Sequence, residues 1–365
     1  MNVPFVDLHA QYLTIKAEID DAIARTIAHS AYVRGPEVEQ FEHAWAETVG
    51  VKHCVSCANG TDALYIAMRG LKIQPGDEVI TTAHSWISTS ETITQAGGKV
   101  VFVDTDPDTF TINPALIEEK ITSRTVGIIP VHLYGQACDM DPIMNIASKH
   151  SLWVIEDCAQ AHLATYKGKQ VGTFGIAATY SFYPGKNLGA YGDAGCLVTN
   201  DDQLADWTAT FARHGGKGDH VMEGINSRLD GLQAAILNVK LPHLRAWTDA
   251  RRDVAARYDD NLAGIGDLTL PHVASSRNHV YHLYVIRTAR RDALRKHLSD
   301  KCISTVLNYP KALPFYPAYS YLSHQPSDFP VTFGHQSTIL SLPIYPEITE
   351  KMITYVATAI KELVW

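Results

Sequence analysis

The chain has 365 residues, of which 46% are hydrophobic and 19% charged, so it can bury a substantial core and is neither a disordered segment nor a coiled coil. Its net charge of −8, from 31 basic and 39 acidic side chains, argues against a broad electrostatic footprint for nucleic acid or an anionic membrane. No apolar run approaches the ~18 residues of a membrane span, and the start MNVPFVDLHAQY shows neither a basic leader nor an apolar signal core, so the expected address is cytoplasmic.

In chain order, a helical stretch over about Tyr12 to His29 comes first, and Gly35-Pro36 opens a second helix, with Glu37 and Glu39 favouring its positive end. Strand and helix then take turns. Val51 to Cys57 is strand-like, Thr61 to Leu71 helical, Glu78 to Thr82 strand-like, Ser85 to Ala96 helical and Lys99 to Asp104 strand-like. The strand VGIIPVHLY, a helix from Asp141 to His150 and the strand LWVIED continue the alternation. Strand-like pieces at Ala177 to Phe182 and Cys196 to Thr199 precede a helix from Gln203 to Arg213. This βαβα order predicts an α/β fold with a mainly parallel sheet sandwiched by helices. Beyond the Gly-rich HGGKGD, Leu229 to Tyr258 reads as one or two long helices leading out of that unit. The strand HVYHLYVIRT, a helix over Arg291 to Leu298 and a closing helix after Glu347 make a smaller α/β domain. The expected division is therefore 1–245 and 246–365.

Six cysteines are too few for a disulfide scaffold, and Cys54 and Cys57, three apart on a strand, point to opposite faces. The 17 histidines show no close metal-ligand spacing, so no metal is expected.

Open α/β sheets bind ligands beyond the carboxyl ends of their strands, and four such places carry chemistry. Ala58-Asn59-Gly60-Thr61-Asp62 joins a strand to a helix, and its backbone donors at Gly60, Thr61 and Asp62 suit a phosphate as well as an ordinary helix cap. Neither a P-loop nor the glycine pattern of a dinucleotide site is present. Asp157, at the end of an apolar strand, needs a cationic or hydrogen-bonding partner, and a protonated ring nitrogen would serve. In SFYPGKNLG, Lys186 is the candidate nucleophile, because burial lowers a lysine's pKa and frees its amine to attack a carbonyl. In His84-Ser85-Trp86, the tryptophan could stack on a flat ring or simply pack, and periodicity does not separate the two. A phosphate cup, a plate, a carboxylate for a ring nitrogen and an amine for an aldehyde are together the demands of pyridoxal 5′-phosphate.

These residues bring a family into view. Through FVDLHAQY, GPEVEQFE, CANGTDAL, GDEVITTAHSW, PVHLYGQ, IEDCAQAH, SFYPGKNLGAYGDAG and INSRLDGLQAAIL, the chain resembles the DegT-type (DegT/StrS) nucleotide-sugar aminotransferases, pyridoxal-phosphate enzymes of fold type I with an aspartate-aminotransferase-like architecture. The resemblance implies that Lys186 binds the cofactor and moves the proton, and that Asp157 pairs with the ring nitrogen. Gln160 would lie beside the ring's O3′ and Trp86 would cover one face. Gly60, Thr61 and Ser181 would hold the phosphate, completed by Asn226 from a partner subunit, so that a homodimer shares its active sites. L-glutamate would load the cofactor as pyridoxamine phosphate, and a nucleotide-diphosphate keto-sugar would take the amine.

Positive charge for that diphosphate is expected from Arg34, Arg213, His214, Lys217 and Arg228, with Tyr183, Asn308 and Tyr309 also facing the substrate. The run INSRLD is similar to members that aminate C3 of the hexose, whereas C4-directed members more often carry tyrosine where Ser227 stands. Asn308-Tyr309-Pro310 replaces the His-Tyr-Pro of several relatives, and a neutral asparagine offers no cation to a uronate. The expected acceptor is thus a dTDP-linked 3-keto-6-deoxyhexose or a UDP-linked 3-keto-N-acetylhexosamine, for lipopolysaccharide O-antigen or a glycosylated natural product. A C4 aminotransferase is the alternative, and a non-enzymatic regulator on the same fold is an alternative of another class. A sugar dehydratase is disfavoured by Lys186, where that scaffold carries histidine.

Overall fold

The computed structural model describes residues 1–216 and 218–363. The amino-terminal helical stretch divides into α1 (Leu8–Thr14) and α2 (Lys16–Ala28), because Ile15 leaves helical geometry between them. Helix α3 (Pro36–Val49) starts at Pro36 and ends on Gly50, whose φ of +85° suits a residue without Cβ. There follow β1 (His53–Cys57), α4 (Gly60–Gly70), β2 (Glu78–Thr82), α5 (Ser88–Gln95), β3 (Lys99–Val103), β4 (Thr125–Ile129), α6 (Met140–Lys149) and β5 (Trp153–Asp157). A short hairpin, β6 (Thr165–Tyr166) and β7 (Lys169–Gln170), leads to β8 (Ala177–Ser181), β9 (Gly195–Thr199) and α7 (Asp202–Phe211).

The main sheet has seven strands in the order β1-β9-β8-β5-β4-β2-β3. Strands β2, β3, β4, β5 and β8 run parallel, while β9 lies antiparallel between β8 and β1, with Ala177 opposite Thr199 and Ser181 opposite Gly195. Strand alternation splits the core between the two faces. Ile80, Ile128 and Val154 join Phe41 and Trp45 of α3 on one side, while Val79, Ile129 and Ile155 join Leu64 and Met68 of α4 on the other. The alternation also separates the two strand cysteines: Cys54 belongs to the first of these clusters and Cys57 to another, against Phe211.

Helices α8 (Gly231–Lys240) and α9 (Leu244–Leu262) lead to β10 (Tyr284–Arg287), α10 (Arg291–Asp300), α11 (Pro330–Thr338), β11 (Ile339–Leu342) and α12 (Glu350–Lys361). Leu244, at the start of α9, packs in the sheet's core, whereas Val254, Tyr258 and Leu262 pack in a second core with β10, β11 and α12. Two features differ from the pattern read along the chain. Val3 threads into the second core and bridges to Ile303, and Leu313, Tyr319 and Phe329 from the last third pack on the sheet. The expected strand over 279–288 is shortened to Tyr284–Arg287, because His279 and Val280 instead join the segment after β4: Gln136 bridges to His279, and Val280 N–H donates to Gly135.

Tyr134, just beyond β4, ties that segment to the carboxyl-terminal third. Its hydroxyl donates to the Asn308 carbonyl and accepts from Nε2 of His84 at 2.6 Å, and burial pushes the His84 imidazole down to about 3, so the ring is neutral. Tyr134→Phe strands a buried donor and a carbonyl, and should cost about 1–3 kcal/mol in urea unfolding. An unchanged midpoint would show that the link contributes nothing.

Candidate active site

Strand β1 runs through Ala58 and Asn59 into α4, whose first-turn N–H groups lack intrahelical partners. Asn59 Oδ1 accepts from Asp62 N–H at 2.8 Å, so the donor expected of Asp62 is already engaged, and Gly60 and Thr61 are left to face a ligand. A Cβ on Gly60 would stand 2.7 Å from Cβ of Ser181, so only glycine lets the helix start meet the end of β8. Thr61 Oγ1 lies 2.7 Å from Ser88 Oγ at the start of α5, which brings hydroxyls from two helix starts together. The structure thus assembles Gly60, Thr61 and Ser181 into one polar cup.

Consecutive residues at the end of β5 point to opposite faces. Glu156 turns away from the cup and accepts N–H bonds from Gly172 at 2.8 Å, Phe174 at 2.7 Å and Gly175 at 2.9 Å, with His132 Nε2 at 3.0 Å. Those bonds hold its carboxyl below the usual range in spite of burial. The ligand atoms of His132, Glu156 and Cys158 lie within 4.8 Å of one another, a cluster that no sequence spacing announced. Since His132 Nδ1 also accepts from Cys138 N–H at 3.0 Å, His132 and Glu156 are satisfied by protein alone.

Asp157 faces the cup, 4% exposed, with Oδ1 accepting from Ala159 N–H at 3.1 Å and Oδ2 from Thr89 Oγ1 at 2.8 Å. Burial raises its pKa, opposed by those two bonds and by the charge of Lys186. Burial likewise lowers the Lys186 ammonium to about 8, with Asp157 working against the shift. Solvent still reaches Lys186 in part, although protein packs around its ammonium. Thr89 escaped sequence reasoning because a buried threonine in a helix carries no chemical signature.

Gln160 is clamped at both ends of its amide, accepting from Tyr134 N–H at 2.7 Å and donating to the Tyr309 hydroxyl at 2.8 Å. Trp86 is 58% exposed, and its ring centroid lies 5.6 Å from that of Tyr309. Asn308 accepts on Oδ1 from Ser341 Oγ at 2.8 Å, which leaves its amide donors turned elsewhere. Tyr183 is as exposed as Trp86.

The residues expected to meet an anionic substrate are less gathered. Arg34 forms a two-pronged pair with Glu42, at 2.9 and 3.3 Å, so its charge is already matched. Arg213 is half-buried, and its segment bridges to Asn226, which is exposed, as are Arg228 and His214. Ser227 is buried between them, donating to Asp62 at 2.6 Å and accepting from Ala58 N–H at 3.0 Å, which ties this segment to the start of α4. Lys217 lies outside the described residues.

Comparison with known proteins gives this geometry a lineage. The model of the DegT/DnrJ/EryC1/StrS aminotransferase family matches residues 13–361. A pleiotropic regulatory protein of Geobacillus stearothermophilus is 46% identical, covering 99% of this chain and 98% of its own. The dTDP-3-amino-3,4,6-trideoxy-alpha-D-glucose transaminase of Streptomyces venezuelae is 41% identical, covering 99% and 96%. The crystal structure of S. venezuelae DesV in complex with a ketimine intermediate superposes with a TM-score of 0.96 at 41% identity, covering 99% of this chain and 98% of that one. With a match along nearly its whole length, the chain belongs to the DegT/DnrJ/EryC1/StrS aminotransferase family.

Proposed function

We propose that this protein is a pyridoxal-phosphate-dependent transaminase that moves an amino group from L-glutamate to C3 of a keto-hexose carried on dTDP or UDP. The observation that carries the reading is a lysine whose ammonium burial lowers to about 8 and whose charge acts on a buried carboxylate, beside a polar cup of helix-start and strand-end residues. The residues fit the cofactor by their chemistry: first-turn donors at Gly60 and Thr61 with the Ser181 hydroxyl for phosphate, Asp157 for a protonated ring nitrogen, Gln160 at the ring's edge and Trp86 over its face. When bound, pyridoxal phosphate supplies an electron sink for the carbon that carries nitrogen.

The rest falls to the chain. The neutral amine of Lys186 would hold the cofactor through its aldehyde and, when free, would hold and move the proton. Asp157, backed by Thr89 and Ala159, keeps its carboxylate aimed where a ring cation would sit. Asn226, Arg228 and His214 are exposed, with Trp86 and Tyr183 exposed as well, and Tyr32, Val33 and Val221 add large apolar side chains to the surface. This supports a homodimer in which Asn226 reaches the partner's phosphate cup and the cationic residues meet the diphosphate. A cytoplasmic address fits a nucleotide-sugar substrate, and no described helix is long and apolar enough to cross a membrane. Lipopolysaccharide O-antigen or a glycosylated natural product would receive the amino sugar. The regulatory name of one relative motivates the second reading, a non-enzymatic regulator, and turnover decides between them.

Three outcomes test the proposal. With L-glutamate and a panel of dTDP- and UDP-linked 3-keto and 4-keto sugars, mass and NMR should show an amine at C3; amination of 4-keto sugars alone would refute the C3 assignment. Lys186→Ala should remain a folded dimer and lose about 10²–10⁴-fold or more in turnover, since a positioned acid or base contributes that much. Capture of added pyridoxal phosphate, followed by absorbance, should quicken roughly tenfold per pH unit up to about 8 and level off above it, because only the neutral amine attacks. A flat profile between pH 6 and 8 would contradict the assignment of Lys186.

A further inference from the structure

The turn that presents Lys186 is closed upon itself. Ala190 N–H donates to the Phe182 carbonyl at 2.8 Å, Lys186 N–H donates to the Tyr183 carbonyl at 2.8 Å, and a Cβ on Gly189 would lie 2.3 Å from the Pro184 oxygen. So compact a turn moves as a unit, and its position depends on what grips it from outside. On one side, Asn187 Nδ2 donates to the Val280 carbonyl at 3.0 Å. On the other stands α8. Its last residue, Lys240, is 1% exposed and donates from Nζ to the Gly189 carbonyl at 2.6 Å. Two helical turns earlier on the same face, Gln233 Oε1 accepts from Tyr191 N–H at 2.8 Å.

Lys240 is an expensive residue to bury. Burial lowers its ammonium to about 8, and the charge of Glu347 works against that shift. Besides the Gly189 oxygen, its surroundings are aromatic, with the ring centroids of Tyr191 at 4.9 Å and Trp247 at 5.9 Å. Filling space alone would not call for a charge here, since an apolar chain of the same length packs without the cost of taking an ammonium out of water. What an apolar chain would lack is the grip on a carbonyl three residues from Lys186.

We propose that Lys240 is a positioning residue for the transamination: through the Gly189 carbonyl it sets where the Lys186 turn, and hence the amine, stands. The inference rests on the reading of Lys186 as the residue that binds the cofactor and moves the proton. An amine that must serve two carbon atoms in succession tolerates little displacement, and an error of about 1 Å can cost 10²-fold.

The test is Lys240→Met, which keeps the length and apolar contacts and removes the donor. In the holoenzyme, kcat per bound cofactor should fall about 10- to 100-fold with KM for L-glutamate and for the sugar nucleotide within about threefold, while the Gly189 carbonyl left without its donor also lowers the melting temperature. Lys240→Gln, which keeps a shorter donor, should fall between Met and the unaltered protein, and carries the test if the Met variant does not fold. Unaltered kcat per bound cofactor in the folded variants, or a loss confined to stability, would overturn the inference. Borohydride reduction of the unaltered holoenzyme separates the two readings: cofactor fixed at another residue sinks the assignment of Lys186, whereas cofactor fixed at Lys186 together with an unimpaired Met variant sinks only the role of Lys240.

Discussion

Much of this site hangs on a carboxylate that takes no part in it. Glu156 gathers three backbone N–H groups and an imidazole on the side of β5 away from the pocket, and so pins the loop over 172–175 and the segment after β4 to the strand's end. Because neighbouring strand residues face opposite ways, anchoring Glu156 also fixes the direction of Asp157. The same alternation along β2, β4 and β5 feeds two separate cores, so a shift of one residue would exchange both faces at once. The aim of the reactive carboxylate is therefore enforced by the packing of the whole sheet.

The alternating order of strands and helices was legible in the sequence because each buried strand is a short apolar run bounded by turn residues, and the strand ends marked Gly60, Asp157 and Lys186 at once. What escaped belongs to two kinds. One is long-range pairing: neither the return of Val3 to Ile303 nor the packing of Tyr319 and Phe329 on the sheet has a local signal, since each depends on segments far apart in sequence. The other is polar support. Thr89 behind Asp157 and Tyr134 between Gln160, His84 and Asn308 are ordinary residue types whose importance comes only from what they meet. Asp62 shows the reverse error, a donor that looked free until the side chain of Asn59 was seen to occupy it.

The electrostatics of the pocket follow one theme. Burial pushes Asp157 and Lys186 toward their neutral forms, and each limits that shift in the other. A site poised in this way can accept a cationic ring against the carboxylate while leaving the amine able to react. The cationic residues outside the site contrast with this. Arg34 is matched by Glu42, whereas Arg228 and His214 stand at the surface.

The threading of Val3 into the second core has a consequence for synthesis. All seven strands of the main sheet lie before residue 200, so the cofactor-binding layer can assemble while the remainder is still being translated. The second core cannot, because it combines Val3 with Ile353, Val356 and Ile360. The amino-terminal segment must wait, unpaired, until Ile303 has been made, and the core around it fills only when α12 joins.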